Sequence, residues 1–307
     1  MQRKVNQIGP STLMVSLPSK WAKRYNVRKG DSVEVTEEGK SLHIYPERNT
    51  SEGKKVHIKL EQENATLARY YLAAAYRSGA DEIEVHLSKS TIRDDKEGKE
   101  EDIHDFLQKT MEQFIGMGIV RNTPSLYIVK ELASVKEEEF DTTLRRIFFS
   151  LMVTNDDLIT NIKKYNQQSL NHLFQYADIQ VNKFVDYCLR MLEKTKTINP
   201  ILYTVIIHLE EFGDGLKYIA KQAAQKKVDA KTLEIIESVK QLLMFTEKYF
   251  YTGKSEFLIE YEGAKRMLRE KLNAFEKISD QIIWLKVNKL MSQTAGIVDA
   301  KLLMQCH

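Results

Sequence analysis

The chain has 307 residues, with 46 Lys or Arg against 43 Asp or Glu and a net charge of +3. Its 42% hydrophobic and 29% charged residues are a folded composition with a real core, which excludes a disordered chain. No apolar run approaches the ~18 residues a membrane span needs and the start of the chain has no apolar signal region, so a cytoplasmic location without membrane insertion is expected.

The first thirty residues hold seven basic side chains (Arg3, Lys4, Lys20, Lys23, Arg24, Arg28, Lys29) and no Asp or Glu. A field of one sign on a near-neutral background is a footprint for a polyanion. Residues 1–48 read as short strands, LMVSL and then two alternating runs in DSVEVTEEGKSLHIYP split at Glu38-Gly39. Between them PSKWAKRYNV reads as one short helix with Pro18 near its start, and Gly30 turns the chain into the next strand. A piece this small cannot bury a core alone, which predicts a shared core and hence a homodimer.

Residues 49–135 have an α/β pattern: VHIKL and DEIEVHL as strands around the helix NATLARYYLAAAYRSG, then the helix IHDFLQKTMEQFIGMG and a hairpin about Thr123-Pro124. Asn64 is a good N-cap and Gly79 a good stop. The acidic RDDKEGKEED reads as an exposed loop. From 136 to 307 the period is helical, with expected helices at 138–166, 168–194, 199–226, 229–252, 255–274 and 275–305. Short connections between them predict two antiparallel three-helix units. The fold class is thus mainly α with a small β N-terminal domain, a multi-domain α+β chain.

Helix spacing also isolates carboxylates. Glu210 and Asp214 in LEEFGDGLKYIAK stand four apart and project from one face, as do Asp178 and Asn182 in the preceding helix and Glu276 and Asp280 in the last. Facing pairs of this kind make oxygen-rich sites for Fe, Mn, Zn, Mg or Ca. Asn288 and Ser292 stand where the last pair's partners belong. The seven His lack HxxxH or HExxH spacing, which argues against histidine-ligated zinc. Cys188 and Cys306 make no disulfide framework or zinc knuckle. No GxGxxG, GxxxxGK or GxSxG occurs and no His pattern singles out a nucleophile, so no enzyme is expected.

Two family resemblances follow. IGPSTLMVSLPSKW with YNVRKGDSVEVTEEGKSLHIYP, over residues 1–47, resembles the AbrB/MazE/SpoVT swapped-hairpin DNA-binding domain. The resemblance implies an interleaved β-barrel dimer on double-stranded DNA, contacted by Arg3, Lys4, Ser11 and Thr12 and by the helix-borne Lys20, Lys23 and Arg24. Pro10-Ser11-Thr12 replaces an arginine that some members place in this loop, which implies holding phosphates rather than reading bases. The helix LEEFGDGLKYIAK resembles the LERIGDHAKNIAE helix of PhoU, the phosphate-uptake regulator. That likeness implies metal ligation by Asp178, Glu210, Asp214, Glu276 and Asp280, with Asn182, Asn288 and Ser292 as departures. Together the modules resemble an archaeal phosphate-uptake regulator: a small DNA-binding domain, an α/β segment over 49–135 and PhoU-like bundles over 136–307. The resemblance implies a transcription regulator, or else an adaptor docking on a phosphate transporter or sensor kinase.

Overall fold

A computed structural model describes residues 3–38, 41–46, 53–95, 98–195, 198–274 and 281–306. The chain divides into two units, Met1–Gly53 and Lys54–His307.

In the first unit β1 (Val5–Ile8) and β2 (Thr12–Val15) form an antiparallel hairpin from Val5↔Val15 to Ile8↔Thr12. Gly9 makes the reversal at φ +72°, a conformation costly for any residue with a Cβ. β1 has no counterpart among the expected strands, because VNQI alternates too weakly to stand out from its neighbours. Pro18 holds the extended N-cap position of α1 (Ser19–Arg24), whose N-terminal end can dispense with the missing N–H. The backbone N–H of Arg28 donates to the Asp31 carboxylate at 2.7 Å, and Gly30, at φ +98°, leads into the second antiparallel hairpin. That hairpin pairs β3 (Val33–Glu38) with β4 (Ser41–Pro46), as the alternating runs require.

Every described side chain of this unit is exposed or half-buried; Leu13 is 70%, Leu42 66% and Val5 62% accessible. Each Val or Leu left in water forgoes roughly 1.5–3 kcal/mol of burial. One copy therefore lacks the apolar contacts that offset the entropy of ordering its chain.

The second unit is built around a four-stranded sheet in the order β5 (Lys55–Leu60), β6 (Glu82–Leu87), β10 (Leu126–Glu131), β9 (Met117–Thr123). β5 and β6 are parallel and joined by the crossover helix α2 (Ala65–Arg77); the other pairings are antiparallel. Asn64 caps α2 by accepting from Leu67 N–H at 2.9 Å, and Gly79 ends it at φ +77°. Strand alternation sends Ile58, Leu60, Ile83, Val85, Leu87, Tyr127 and Val129 into the core. His57, Lys59, Glu84 and His86 take the alternate positions on the opposite face.

Two readings of this region need correction. The acidic segment expected as a loop is an antiparallel hairpin, β7 (Thr91–Asp94) with β8 (Lys99–Asp102). Buried Ile92 anchors it, and cross-strand partners Arg93↔Glu100 and Asp94↔Lys99 pair opposite charges. The following helix α3 (Ile103–Met111) is shorter than the expected 103–118, since Gly116 turns the chain at φ +81° into β9. The carbonyl of Gly116 accepts from Leu132 and Ala133, tying that turn to the end of β10. The hairpin at Thr123-Pro124 forms as read, with Thr123 opposite Leu126.

The helices follow their periodicity closely: α4 (Glu139–Lys164), α5 (Gln167–Thr195), α6 (Ile201–Gln225), α7 (Ala230–Thr252), α8 (Ser255–Asn273) and α9 (Gln281–Gln305), with residues 275–280 of the expected last helix outside the described residues. α4, α5 and α6 pack on one another; α7 packs on α8 and α9; α6 meets α9 and α4 meets α7. Two glycines let α6 serve both sides. A Cβ on Gly213 would lie 3.2 Å from Leu151 and 3.5 Å from Val181, and one on Gly215 only 2.5 Å from Leu290. Close approach explains why helix-interior glycine is tolerated at roughly 1 kcal/mol against alanine.

Arg190 joins α5 to the sheet layer. Its side chain is buried, donates to the Tyr76 carbonyl at 2.9 Å and to Glu131 at 3.0 Å, and lies over the Tyr76 ring. Lys194, one turn on, donates to Glu131 at 2.7 Å and Asp81 at 2.6 Å.

Candidate nucleic-acid interface and acidic cluster

In the first unit the basic residues occupy two places. Arg3 and Lys4 lead into β1, while Ser11 lies in the hairpin turn and Thr12 opens β2. Lys20, Lys23 and Arg24 are spaced i, i+3 and i+4 on α1, so they share one helix face, and Lys23 and Arg24 fall in its last turn. Cations there complement the negative end of the helix dipole. Trp21 and Ala22 are half-buried on the other side, with the Trp21 and Tyr25 rings 5.4 Å apart. All seven of the expected DNA-contacting residues are exposed. Arg3 donates to the Ser16 hydroxyl across the hairpin at 3.4 Å. Such exposed, stem-supported cations suit sugar-phosphate contacts.

The carboxylates meet differently from the sequence pattern. Glu210 of α6 faces Asp186 of α5 through a guanidinium: Arg77, at the end of α2, donates Nε to Asp186 at 2.5 Å and Nη2 to Glu210 at 3.5 Å. Asp186 is buried and Glu210 half-buried; Asp214 lies exposed one turn further along α6, and Asn182 is half-buried one turn before Asp186. The side chain of Asp178 and the whole of Glu276 and Asp280 lie outside the described residues. Asn288 donates to the Trp284 carbonyl of its own helix at 3.0 Å, and Ser292 is exposed.

Sequence reasoning missed Asp186 and Arg77. Asp186 was within reach, since Asp178, Asn182 and Asp186 continue one four-residue spacing. Arg77 was not, being 109 positions away from Asp186. Its guanidinium supplies the positive charge that the facing carboxylates need, so a metal ion entering between them has to displace it.

Burial raises Asp186 above the ordinary carboxylate value against the pull of Arg77, and burial raises Glu210 likewise, with Asp186 and Asp214 adding to it. A carboxyl raised in the folded state contributes stability that is complete below its unfolded value near pH 4 and is lost as pH rises through its folded value. Asp186→Asn keeps the neutral shape and removes that loss. Its urea midpoint relative to the parent protein is expected to rise between about pH 4 and pH 7. Equal differences at both ends of the window count against the assignment.

Among comparisons with known proteins, the family model described as antidote-toxin recognition MazE, bacterial antitoxin, matches residues 7–52. No curated protein and no solved structure matches the chain. The match begins within β1, at Gln7, covers β2, α1 and the β3–β4 hairpin, and supports the AbrB/MazE reading of the N-terminal domain. No helix of the described residues is long and apolar enough to cross a membrane.

Proposed function

We propose that this chain is a homodimeric DNA-binding transcription regulator, whose N-terminal unit grips the phosphates of double-stranded DNA and whose helical body receives the signal. The observation that carries the reading is the acid-free basic stretch of the first thirty residues, set on a segment that the MazE family model matches from residue 7. The phosphate-uptake role rests on the likeness of LEEFGDGLKYIAK to the PhoU helix, and on the juxtaposition of Glu210 with Asp186 across α5 and α6. Immunoprecipitation of bound chromosomal DNA from phosphate-rich and phosphate-poor cells tests both parts. Enrichment near phosphate-uptake genes in one condition supports the whole proposal; enrichment elsewhere removes phosphate, and no enrichment removes the regulator.

Dimerisation is supported by the unburied apolar residues of the N-terminal unit. The β1–β2 register, Val5↔Val15 and Gln7↔Leu13, brings Val5, Leu13 and Val15 to one face of the hairpin. A second copy laid on that face supplies the missing core. Val15→Asp forces a carboxylate into it, and the dimer dissociation constant is expected to rise on the order of 100-fold. Sedimentation velocity reads this directly; a variant as dimeric as the parent chain sinks the shared core.

The second reading, an adaptor docked on a phosphate transporter or sensor kinase, is favoured by the share of the chain in α4 to α9. Co-purification of a transporter component lost on deleting 137–307, without DNA enrichment, selects it.

A further inference from the structure

The open face of the sheet carries a constellation unrelated to DNA or to the carboxylates of α5 and α6. β5 and β6 run parallel with His57 opposite Glu84 and Lys59 opposite His86. Residues two apart on a strand share a face, so His86 stands beside Glu84, and all three side chains converge. His57 Nδ1 lies 2.9 Å from Glu84 Oε2, and His86 Nε2 lies 3.6 Å from the same oxygen. One donor atom from each residue falls within 4.8 Å of the other two. The two imidazoles stand near parallel, with centroids 6.3 Å apart.

We propose that His57, Glu84 and His86 form a binding site for a divalent transition metal ion of the Zn²⁺ class. Donors to one such ion stand about 2.0–2.2 Å from it, so they lie roughly 3–4 Å from one another. The three groups already approach that spacing, and side-chain rotation at an open surface covers the difference. Two neutral nitrogens and one carboxylate are a borderline donor set that favours Zn, Ni, Cu or Co over Mg or Ca. Three protein ligands leave a coordination position open to water or to a partner's side chain.

The surroundings are built to hold the carboxylate in place. Lys55 Nζ donates to Glu84 Oε1 at 2.8 Å, leaving Oε2 turned to the two histidines. Lys55 also bonds Glu82 at 2.6 Å, and Glu82 in turn bonds Lys130 of β10 at 2.8 Å. An outer partner that fixes a ligand's orientation is a regular part of metal sites. Lys55, Lys59 and Lys130 are positive charges on this face that oppose a cation; Lys55 and Lys130 are engaged with Glu82 and Glu84, and Lys59 stands opposite His86.

Local spacing does not encode this site. HxxxH and HExxH report ligands one helical turn apart, whereas here strand register joins residues on β5 and β6 across the α2 crossover.

The test uses the full chain, purified without chelator and freed of metal, titrated at neutral pH with Zn²⁺ by calorimetry and with Co²⁺ by visible absorption. One ion per chain is expected, with a nitrogen-ligand Co²⁺ band. His57→Ala and His86→Ala are each expected to weaken binding on the order of 100-fold, and Lys55→Met about tenfold. The ligands are at the surface, and circular dichroism checks that the variants remain folded. In the parent protein Zn²⁺ is expected to raise the thermal midpoint, because it binds only the folded arrangement, and that rise disappears in both histidine variants. No binding by the parent chain overturns the proposal. So does binding of unchanged strength in both histidine variants, which places the ion elsewhere, with Asp186→Asn showing whether the acidic cluster holds it.

Discussion

Arg3→Ala/Lys4→Ala is expected to flatten the salt dependence of DNA binding by roughly 3.6 in the slope of log K against log salt, since four bases leave each dimer at about 0.9 apiece. The affinity of the parent protein is expected to fall steeply with salt, since on the proposed function each phosphate contact releases a condensed counterion. Arg3 and Lys4 lie exposed before β1, where the bond from Arg3 to Ser16 helps position the guanidinium. Mobility shifts from low to high salt on one promoter fragment give the slope. The same pair of substitutions should weaken every duplex about equally, because Pro10-Ser11-Thr12 offers no arginine for base edges. A variant that retains the parent slope sinks the phosphate assignment. One that loses affinity for a single sequence only shows base reading instead.

Arg190→Met is expected to cost the folded state about 3–5 kcal/mol, the range for removing one partner of a buried charge pair. Methionine fills much of the volume, so the loss is electrostatic. The Tyr76 carbonyl loses the Arg190 donor and keeps the Gly79 N–H at 3.0 Å, and Glu131 keeps Lys194. Urea unfolding measures the loss. Adding Glu131→Gln to Arg190→Met should recover part of it, giving a coupling energy that distant sites do not show. A loss below about 1 kcal/mol means that the bonds from Arg190 contribute little to holding α5 on the sheet layer, leaving apolar packing and the Lys194 and Asp186 contacts to do so.

The sequence was informative where local physics decides and silent where distant pairing does. Apolar spacing and end signals placed α4 to α8 within a few residues; Asn64 caps α2, and Gly253 closes α7 at φ +64° after Tyr251-Thr252. The hairpins of the N-terminal unit were readable apart from β1, whose Asn6-Gln7 centre breaks the alternation. The charged β7–β8 hairpin looked like loop because only Ile92 reveals a buried face, and Gly98 at φ +68° marks its turn. The candidate sites divide the same way. Glu210 and Asp214 declare themselves by helix spacing. Arg77 and the His57–His86 pair depend on which elements the tertiary fold brings together, and no local period encodes that.

The coreless state of a single N-terminal unit has a consequence for how much protein a cell must hold. If folding of residues 3–46 draws on a second copy, the DNA-competent species accumulates with the square of chain concentration until dimers saturate. Below that point, halving expression reduces promoter occupancy about fourfold. Abundance then sets a threshold for regulation, before any effector acts on the helices.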